Sequence, residues 1–542
     1  MSFFLGGLAA GAIAITVSLL LRLFAGSIFI PELASQTLFS LTPGQVESQA
    51  VERFGPLAKY SAFIGAVAAN LILYGLIGLL VGLLQKKKKR LPSKGYVLNA
   101  IQSSLVAYII LFMISALLLI LTETNVQAKL DSIKLLAIYL VPTNVAFGFI
   151  FSSFYQRIVL PRRPSTMDPK KEDVTGKAEI DYKKRLLLRA SIASAVALPI
   201  LYFGLNSLLV PRKEIQQLTP SLSALLRSKP KPPGFDAPSL RSLLESEITP
   251  TDLFYRIDKN PIVPDVNAQT WTLTVKGLVD NPFEINYKEI RDMPSVEQFA
   301  TLECVSNKIG GDLISTAIWK GVRLKDLLEK AHVKTAAKYI VFRCFDGYDV
   351  GIPLERGLLE GTILAYDMNG APLTSEHGYP VRAIVPGIYG MMNAKWMTEI
   401  ELVDKVYEGY WQRKGWSNVA RYNTHSFIII PGDAAIRKRF RNLEASNVAL
   451  DRVVPVAGMA FAGDRGILKV EVSTDGGATW KTAKIKDPLS QYTWVLWSIE
   501  LDLTGNEHHI AVRATDKTGK LQTDQIQDPF PNGSTGYHLV NI

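Results

Sequence analysis

Apart from Arg22 in the first of them, five runs of this chain carry no charged residue over a length that can cross a bilayer. They are Phe4–Leu21, which continues past Arg22 to Ile30, then Tyr60–Gln85, Gly95–Thr122, Leu135–Gln156 and Ala190–Val210. A helix needs about 20 apolar residues to span the hydrocarbon core. A soluble alternative would have to bury several helices that are apolar on every face. Residues 1–210 are therefore expected to form a lipid-embedded anchor of five transmembrane helices.

Charge between the runs orients the anchor. The connection after the second run holds Lys86, Lys87, Lys88, Lys89, Arg90 and Lys94 with no acid, and the one after the fourth holds Arg162, Arg163, Lys170, Lys171, Lys177, Lys183, Lys184 and Arg185. The other two connections, with Glu32, Glu47 and Glu52 and with Glu123 and Asp131, are nearly neutral. The positive-inside rule puts the basic loops and the N-terminus in the cytoplasm and everything after residue 210 outside. Most of the formal net charge of +11 sits in those loops, where it suits anionic lipid. With no basic-aromatic stripe elsewhere, no nucleic-acid partner is expected.

Residues 211–250, punctuated by Pro220, Pro230, Pro232, Pro233, Pro238 and Pro250, read as a linker. Residues 251–430 mix the β-like Trp271–Val275 and Tyr339–Phe342 with the helical leucine spacing of Leu324–Ala331, which predicts an α+β domain. Residues 431–542 alternate over Ile467–Val472, Trp494–Leu503 and His509–Thr515, with a turn at Asp475-Gly476-Gly477, and predict an immunoglobulin-like β-sandwich.

The chemistry gathers around Cys304. It ends the β-like Thr301-Leu302-Glu303 and faces a glycine-rich loop, Gly310-Gly311, before Ile314-Ser315-Thr316-Ala317-Ile318-Trp319-Lys320-Gly321-Val322. Further blocks follow in order: Asp367-Met368-Asn369-Gly370, Glu376-His377-Gly378-Tyr379-Pro380-Val381-Arg382, Val385-Pro386-Gly387, Gly390-Met391-Met392-Asn393-Ala394-Lys395-Trp396 and Tyr410-Trp411-Gln412-Arg413-Lys414-Gly415-Trp416. Together these resemble the sulfite oxidase-like family of molybdopterin-dependent oxidoreductases, across roughly residues 250 to 542. The resemblance implies that Cys304 ligates molybdenum as a thiolate and that a pyranopterin supplies the remaining cofactor chemistry. It implies cofactor-binding roles for His377, Arg382, Asn393, Ala394 and Lys395, with a looser match at Tyr255 and Arg256. Cys344, the second of only two cysteines, falls near the same cofactor, although burial alone also accounts for it. The tail domain of the family serves in dimerisation, which implies a homodimer.

Departures bear on substrate. The tyrosine of the family's Trp-Gln-Arg block is replaced by Trp416, and the arginines expected after the metal cysteine and in the segment Asp528–Gly533 are missing. Arg256 and Lys308 compensate in part, which keeps Arg256 and Trp416 beside Cys304 as candidate catalytic residues. The resemblance therefore implies two-electron oxygen-atom transfer to or from an oxyanion such as sulfite, or on an S-oxide or N-oxide.

All six histidines, His332, His377, His425, His508, His509 and His538, follow the last apolar run, and Cys-x-x-Cys-His is absent. No haem is expected in this chain, so a separate carrier, a cytochrome or a quinone-linked protein, must exchange electrons with it. A cofactor domain outside the membrane also implies export after folding, and Lys184-Arg185-Leu186-Leu187-Leu188 resembles a degenerate twin-arginine signal. Two other classes stay open on the residues alone. One is a membrane-anchored β-sandwich that only binds; the other is a cysteine hydrolase pairing Cys304 with His377.

Overall fold

The computed structural model describes residues 2–25, 27–54, 57–85, 93–122, 126–154, 197, 234–235, 240–259, 263–431, 453–502 and 508–541. Two compact units result, residues 1–42 with 49–212, and residues 43–48 with 213–542.

The N-terminal elements are α1 (Ser2–Ala25), α2 (Ile30–Leu41), α3 (Gly44–Phe54), α4 (Leu57–Gln85), α5 (Ser93–Thr122) and α6 (Val126–Phe154). Among the described residues four stretches are helical, long and apolar enough to cross a membrane: Ser2–Ala25, Tyr60–Gln85, Tyr96–Leu121 and Ser132–Phe154. The fifth run, Ala190–Val210, lies outside the described residues. The first run does not continue to Ile30 as one helix. It stops at Ala25 and restarts at Ile30, where Pro31 suits a helix start, and Arg22 pairs with Glu32 at 2.8 Å. α1 and α4 approach through glycine, since a Cβ on Gly78 would lie 2.5 Å from the Cα of Gly7.

In the second unit, part of the stretch read as linker is packed. Phe235, Leu240, Leu243 and Ile248 are buried. Trp494 Nε1 donates to the Glu247 carbonyl at 3.1 Å, and Ser498 Oγ to that of Gly234 at 2.6 Å. Prolines dominate the look of this stretch, but its few leucines and Phe235 suffice to dock it.

The α+β region has two sheets. One runs in the order Phe283–Asn286, Thr272–Gly277, Met397–Val403, Tyr339–Cys344, Asp349–Pro353, with only the contact between Thr272–Gly277 and Met397–Val403 parallel. The helix Leu324–Ala331 buries Leu324, Leu327, Leu328 and Ala331 and keeps its charges off that face, with Glu329 and Lys330 exposed, as its spacing predicts. The other sheet runs Val296–Glu303, Ile314–Arg323, Ile363–Met368, Ala371–Pro372, with Arg382–Ile384 also paired to Ile363–Met368. Strand ends thus present Cys304, after Glu303, and Arg382 from one sheet, and Lys395, just before Met397, from the approach to the other.

The C-terminal region is a sandwich of two four-stranded antiparallel sheets. Ile428, Val456, Val495 and Trp497 from one share a core with Val470, Val472, Ile510 and Val512 from the other.

Candidate functional site

A cluster of buried cations forms first. Arg382 opens its strand with a 5% exposed side chain over the Trp319 ring, 5.0 Å from the centroid. Its Nη1 donates to the His377 carbonyl at 3.2 Å and its Nη2 to that of Asn393 at 3.5 Å. Its Nε is buried with no hydrogen-bond partner, and no carboxylate lies within ion-pairing distance among the described residues. Burial pulls this guanidinium down to about 10. His377, in the short turn Ser375–His377, bonds through Nε2 to the Thr251 carbonyl at 2.8 Å. Burial first, then the charges of Lys395 and Arg382, lower it to about 3 and keep the ring neutral.

Lys395 closes the cluster. Its ammonium contacts the Asp258 carboxylate and donates to the Glu376 carbonyl at 3.1 Å. Burial lowers it more than Asp258 raises it. Arg256 bridges Asp258 at 3.1 Å and Glu376 at 3.0 Å. Gly378 sits between these groups at φ +103°, and a Cβ there would press on Lys395 at 3.0 Å and Arg382 at 3.1 Å, so the turn requires glycine. Asn393, through its side chain, and Ala394, through its carbonyl, hold the neighbouring backbone. Asn393 Oδ1 accepts from Val385 N at 2.6 Å, and the Ala394 carbonyl accepts from Ala383 N at 2.8 Å.

Tyr255 links this cluster to Cys304. Its amide donates to Ser315 Oγ at 3.0 Å, and Ser315 pairs with Leu302 two residues before the cysteine. A Cβ on Gly390 would meet the Tyr255 hydroxyl at 2.2 Å and the Glu303 carbonyl oxygen at 3.1 Å. The Cys304 loop is held from below and from the side. Asn307 Nδ2 donates to Glu303 Oε1 at 2.9 Å, Asn307 Oδ1 accepts from Leu313 N at 3.0 Å, and Ser534 Oγ donates to the Asn307 carbonyl at 2.7 Å. Cys304 is in no disulfide, is 7% exposed and has its sulfur 3.0 Å from Ser306 Oγ. Burial raises Glu303, against the nearby His425 and Asn307.

Cys344 is also a free, buried thiol, at the end of Tyr339–Cys344. Burial pushes it well above the usual thiol range, with Asp346 reinforcing and Lys259 and Lys395 opposing. It stays near the cation cluster but protonated.

Trp416 stands on a second wall. It is 5% exposed, edge-on to Phe530 at 5.1 Å, and Ser417 N donates to the Pro531 carbonyl at 3.1 Å. Asn423 Nδ2 contacts the carbonyls of Asn532, Gly533 and Ser534, each at 3.2 Å. This C-terminal segment therefore ties the Trp416 block to the Cys304 loop through Ser534.

The sequence-expected residues thus fall into one continuous region. Asp258, Glu376, Asn307 and Ser534 were not expected in it. Asp258 had a signal, an acid two residues after Arg256; Ser534, far along the chain, had none.

Residues 260–411 match the oxidoreductase molybdopterin binding domain family and residues 418–529 the Mo-co oxidoreductase dimerisation domain family. The chain is 28% identical over 354 residues to sulfite oxidase of Arabidopsis thaliana, covering 56% of this chain and 89% of that one. It is 29% identical to mitochondrial sulfite oxidase of Macaca fascicularis, with 55% and 62% covered, so the match spans under two thirds of that relative. It is 30% identical to inducible NADH nitrate reductase 2 of Glycine max, covering 56% of this chain and 40% of that relative.

Proposed function

From a chain that belongs, over residues 260–529, to the sulfite oxidase-like molybdopterin oxidoreductases, we propose a membrane-anchored enzyme that moves one oxygen atom between water and a small S- or N-centred substrate, and two electrons between that substrate and a separate carrier, on the extracytoplasmic side. The observation that carries the reading is Arg382. A buried guanidinium with no carboxylate partner among the described residues and an unsatisfied Nε is costly by itself. A phosphate on that fork would satisfy it, as a pterin cofactor provides. When bound, that cofactor supplies the metal centre that exchanges oxygen and electrons.

The chain's own residues would divide the work. Cys304 would hold the metal as thiolate, on a loop fixed by Asn307 and Ser534. Arg382 and Lys395 would hold the phosphate, and neutral His377 would orient the pterin by hydrogen bonding rather than charge. Arg256, Tyr255 and Trp416 would border the substrate. In the oxidising direction sulfite and water give sulfate, two protons and two electrons; in the reducing direction an S- or N-oxide takes up two electrons and two protons and releases water. A separate carrier exchanges the electrons, and the dimerisation domain supports a homodimer.

Orientation follows from the positive-inside pattern. For the hydrolase alternative, the described contacts are His377 Nε2 with the Thr251 carbonyl and the Cys304 sulfur with Ser306 Oγ, neither of which joins the thiol to the imidazole. Metal and pterin analysis of the purified chain tests the proposal. One molybdenum and one pterin per chain are expected, and their absence after expression in a cofactor-competent host would sink it.

A further inference from the structure

The wall that carries Trp416 holds two cations paired with carboxylates, Arg413 and Lys414, and Lys259 also lies over its Tyr410 ring at 5.2 Å. Arg413 makes a bidentate contact with Asp349, Nη2 to Oδ1 at 2.8 Å and Nη1 to Oδ2 at 2.9 Å. Lys414 donates to Glu47 Oε2 at 2.5 Å, with side-chain exposures of 7% for Lys414 and 3% for Glu47. The ammonium also faces the rings of Tyr410 at 4.7 Å and Trp411 at 5.1 Å. Glu47 lies in the first turn of α3, whose start meets this wall closely. A Cβ on Gly44 would come 2.5 Å from the Lys414 carbonyl oxygen and 3.1 Å from Trp416 Nε1. The same wall continues through Phe530, Pro531 and Ser534 to the Cys304 loop.

Two buried unit charges in direct contact form a pair that an incoming anion must break. The anion would also meet the carboxylate it displaces, a like charge in a poorly screened setting. We infer that Glu47 determines specificity: by holding Lys414 in a buried one-to-one pair it withdraws that cation from the substrate, so the site takes an uncharged sulfoxide or amine N-oxide in preference to an anion such as sulfite. This rests on the oxygen-transfer reading above. In the favoured reaction the S=O or N–O bond breaks, two electrons from the carrier and two protons enter, and the sulfide or amine leaves with water.

Glu47→Gln removes the counter-charge and keeps the shape, while Glu47→Asp keeps the charge. The experiment uses the detergent-purified full-length holoprotein as wild type and both variants. Turnover of dimethyl sulfoxide and trimethylamine N-oxide is followed with reduced viologen, and of sulfite with ferricyanide. Sulfate binding is followed by titration calorimetry, which needs no turnover. In Glu47→Gln, sulfate affinity and the ratio of kcat/KM for sulfite over dimethyl sulfoxide should each rise by about tenfold or more, the scale of one freed buried charge. Glu47→Asp should behave as wild type, and circular dichroism of each protein establishes that it is folded. Equal sulfate affinity in folded wild type and Glu47→Gln would overturn the inference, as would wild-type preference for sulfite that Glu47→Gln leaves unchanged. No turnover of any substrate in all three proteins would instead sink the oxygen-transfer reading, and the sulfate titration tells the two failures apart.

Discussion

Arg382 and Lys414 are both buried cations on aromatic surfaces, yet they end in opposite states. Arg382 lies over Trp319, spends its two Nη groups on backbone carbonyls and leaves Nε unsatisfied. Lys414 lies over Tyr410 and Trp411 and is closed off by Glu47. Burial lowers both groups, but Glu47 pulls Lys414 back up, whereas the larger shift of Arg382 has only modest opposition from Tyr255 and Asp258. A buried cation without a counter-ion is a place for an external anion; one with an internal counter-ion is not. On the proposed reading, one region would hold a charged group that stays, and the other would be discharged where substrate passes.

The largest effect separates cofactor anion from cofactor chemistry. Cys304→Ser should lower oxygen-transfer turnover on the order of a thousandfold while pterin content, held through Arg382, largely persists. Parallel metal and pterin assays check it, and loss of both together would tie the two sites more closely than the comparison allows.

Removing the paired cation should cost stability. Lys414→Met leaves the Glu47 carboxylate buried without its partner and should destabilise the second unit by about 3 kcal/mol, read by denaturant unfolding of the full chain. A loss near zero would mean that the pair is not held as the geometry has it.

The neutral ring beside Arg382 gives a pH signature. His377 is held at about 3 in the fold against an ordinary value of 6.5, so the unfolded chain binds a proton there that the folded one does not. Stability should therefore be full above about 6.5 and fall as pH drops toward 3, by about 2 kcal/mol between pH 7 and 5. Thermal melts of wild type and His377→Gln check this, since the substitution should flatten that part of the profile.

The smallest stability effect belongs to the unpaired cation. Arg382→Met should change the cofactor-free protein by less than about 1 kcal/mol, because no partner charge is stranded. Pterin affinity should nonetheless fall by about tenfold or more, measured by reconstitution.

The region's elements were largely legible because they are local. The leucine spacing of Leu324–Ala331 gives that helix to its ends, and alternation places Ile467–Ser473 and His509–Asp516 within a residue or so. The blocks around Cys304, His377, Arg382 and Lys395 likewise sit where strands end, and the fold brings them into one region. What stayed hidden depends on partners far away in sequence. Nothing local in the Tyr410–Trp416 block marks Arg413 as the partner of Asp349 or Lys414 as the partner of Glu47. The docking of Phe235 and Leu243 was masked by the prolines around them. No spacing rule encodes which acid meets which base across such separations.

Glu47 and Lys414 stand 367 positions apart on one covalent chain. A carboxylate that cannot diffuse away competes as an effective concentration, on the order of millimolar for flexible tethers and higher for an ordered one. A free anion at micromolar levels would meet a cation already saturated by its own polypeptide. Selectivity of this kind does not wash out as substrate is diluted, and it is carried by a residue outside the stretch that matches the oxidoreductase domain.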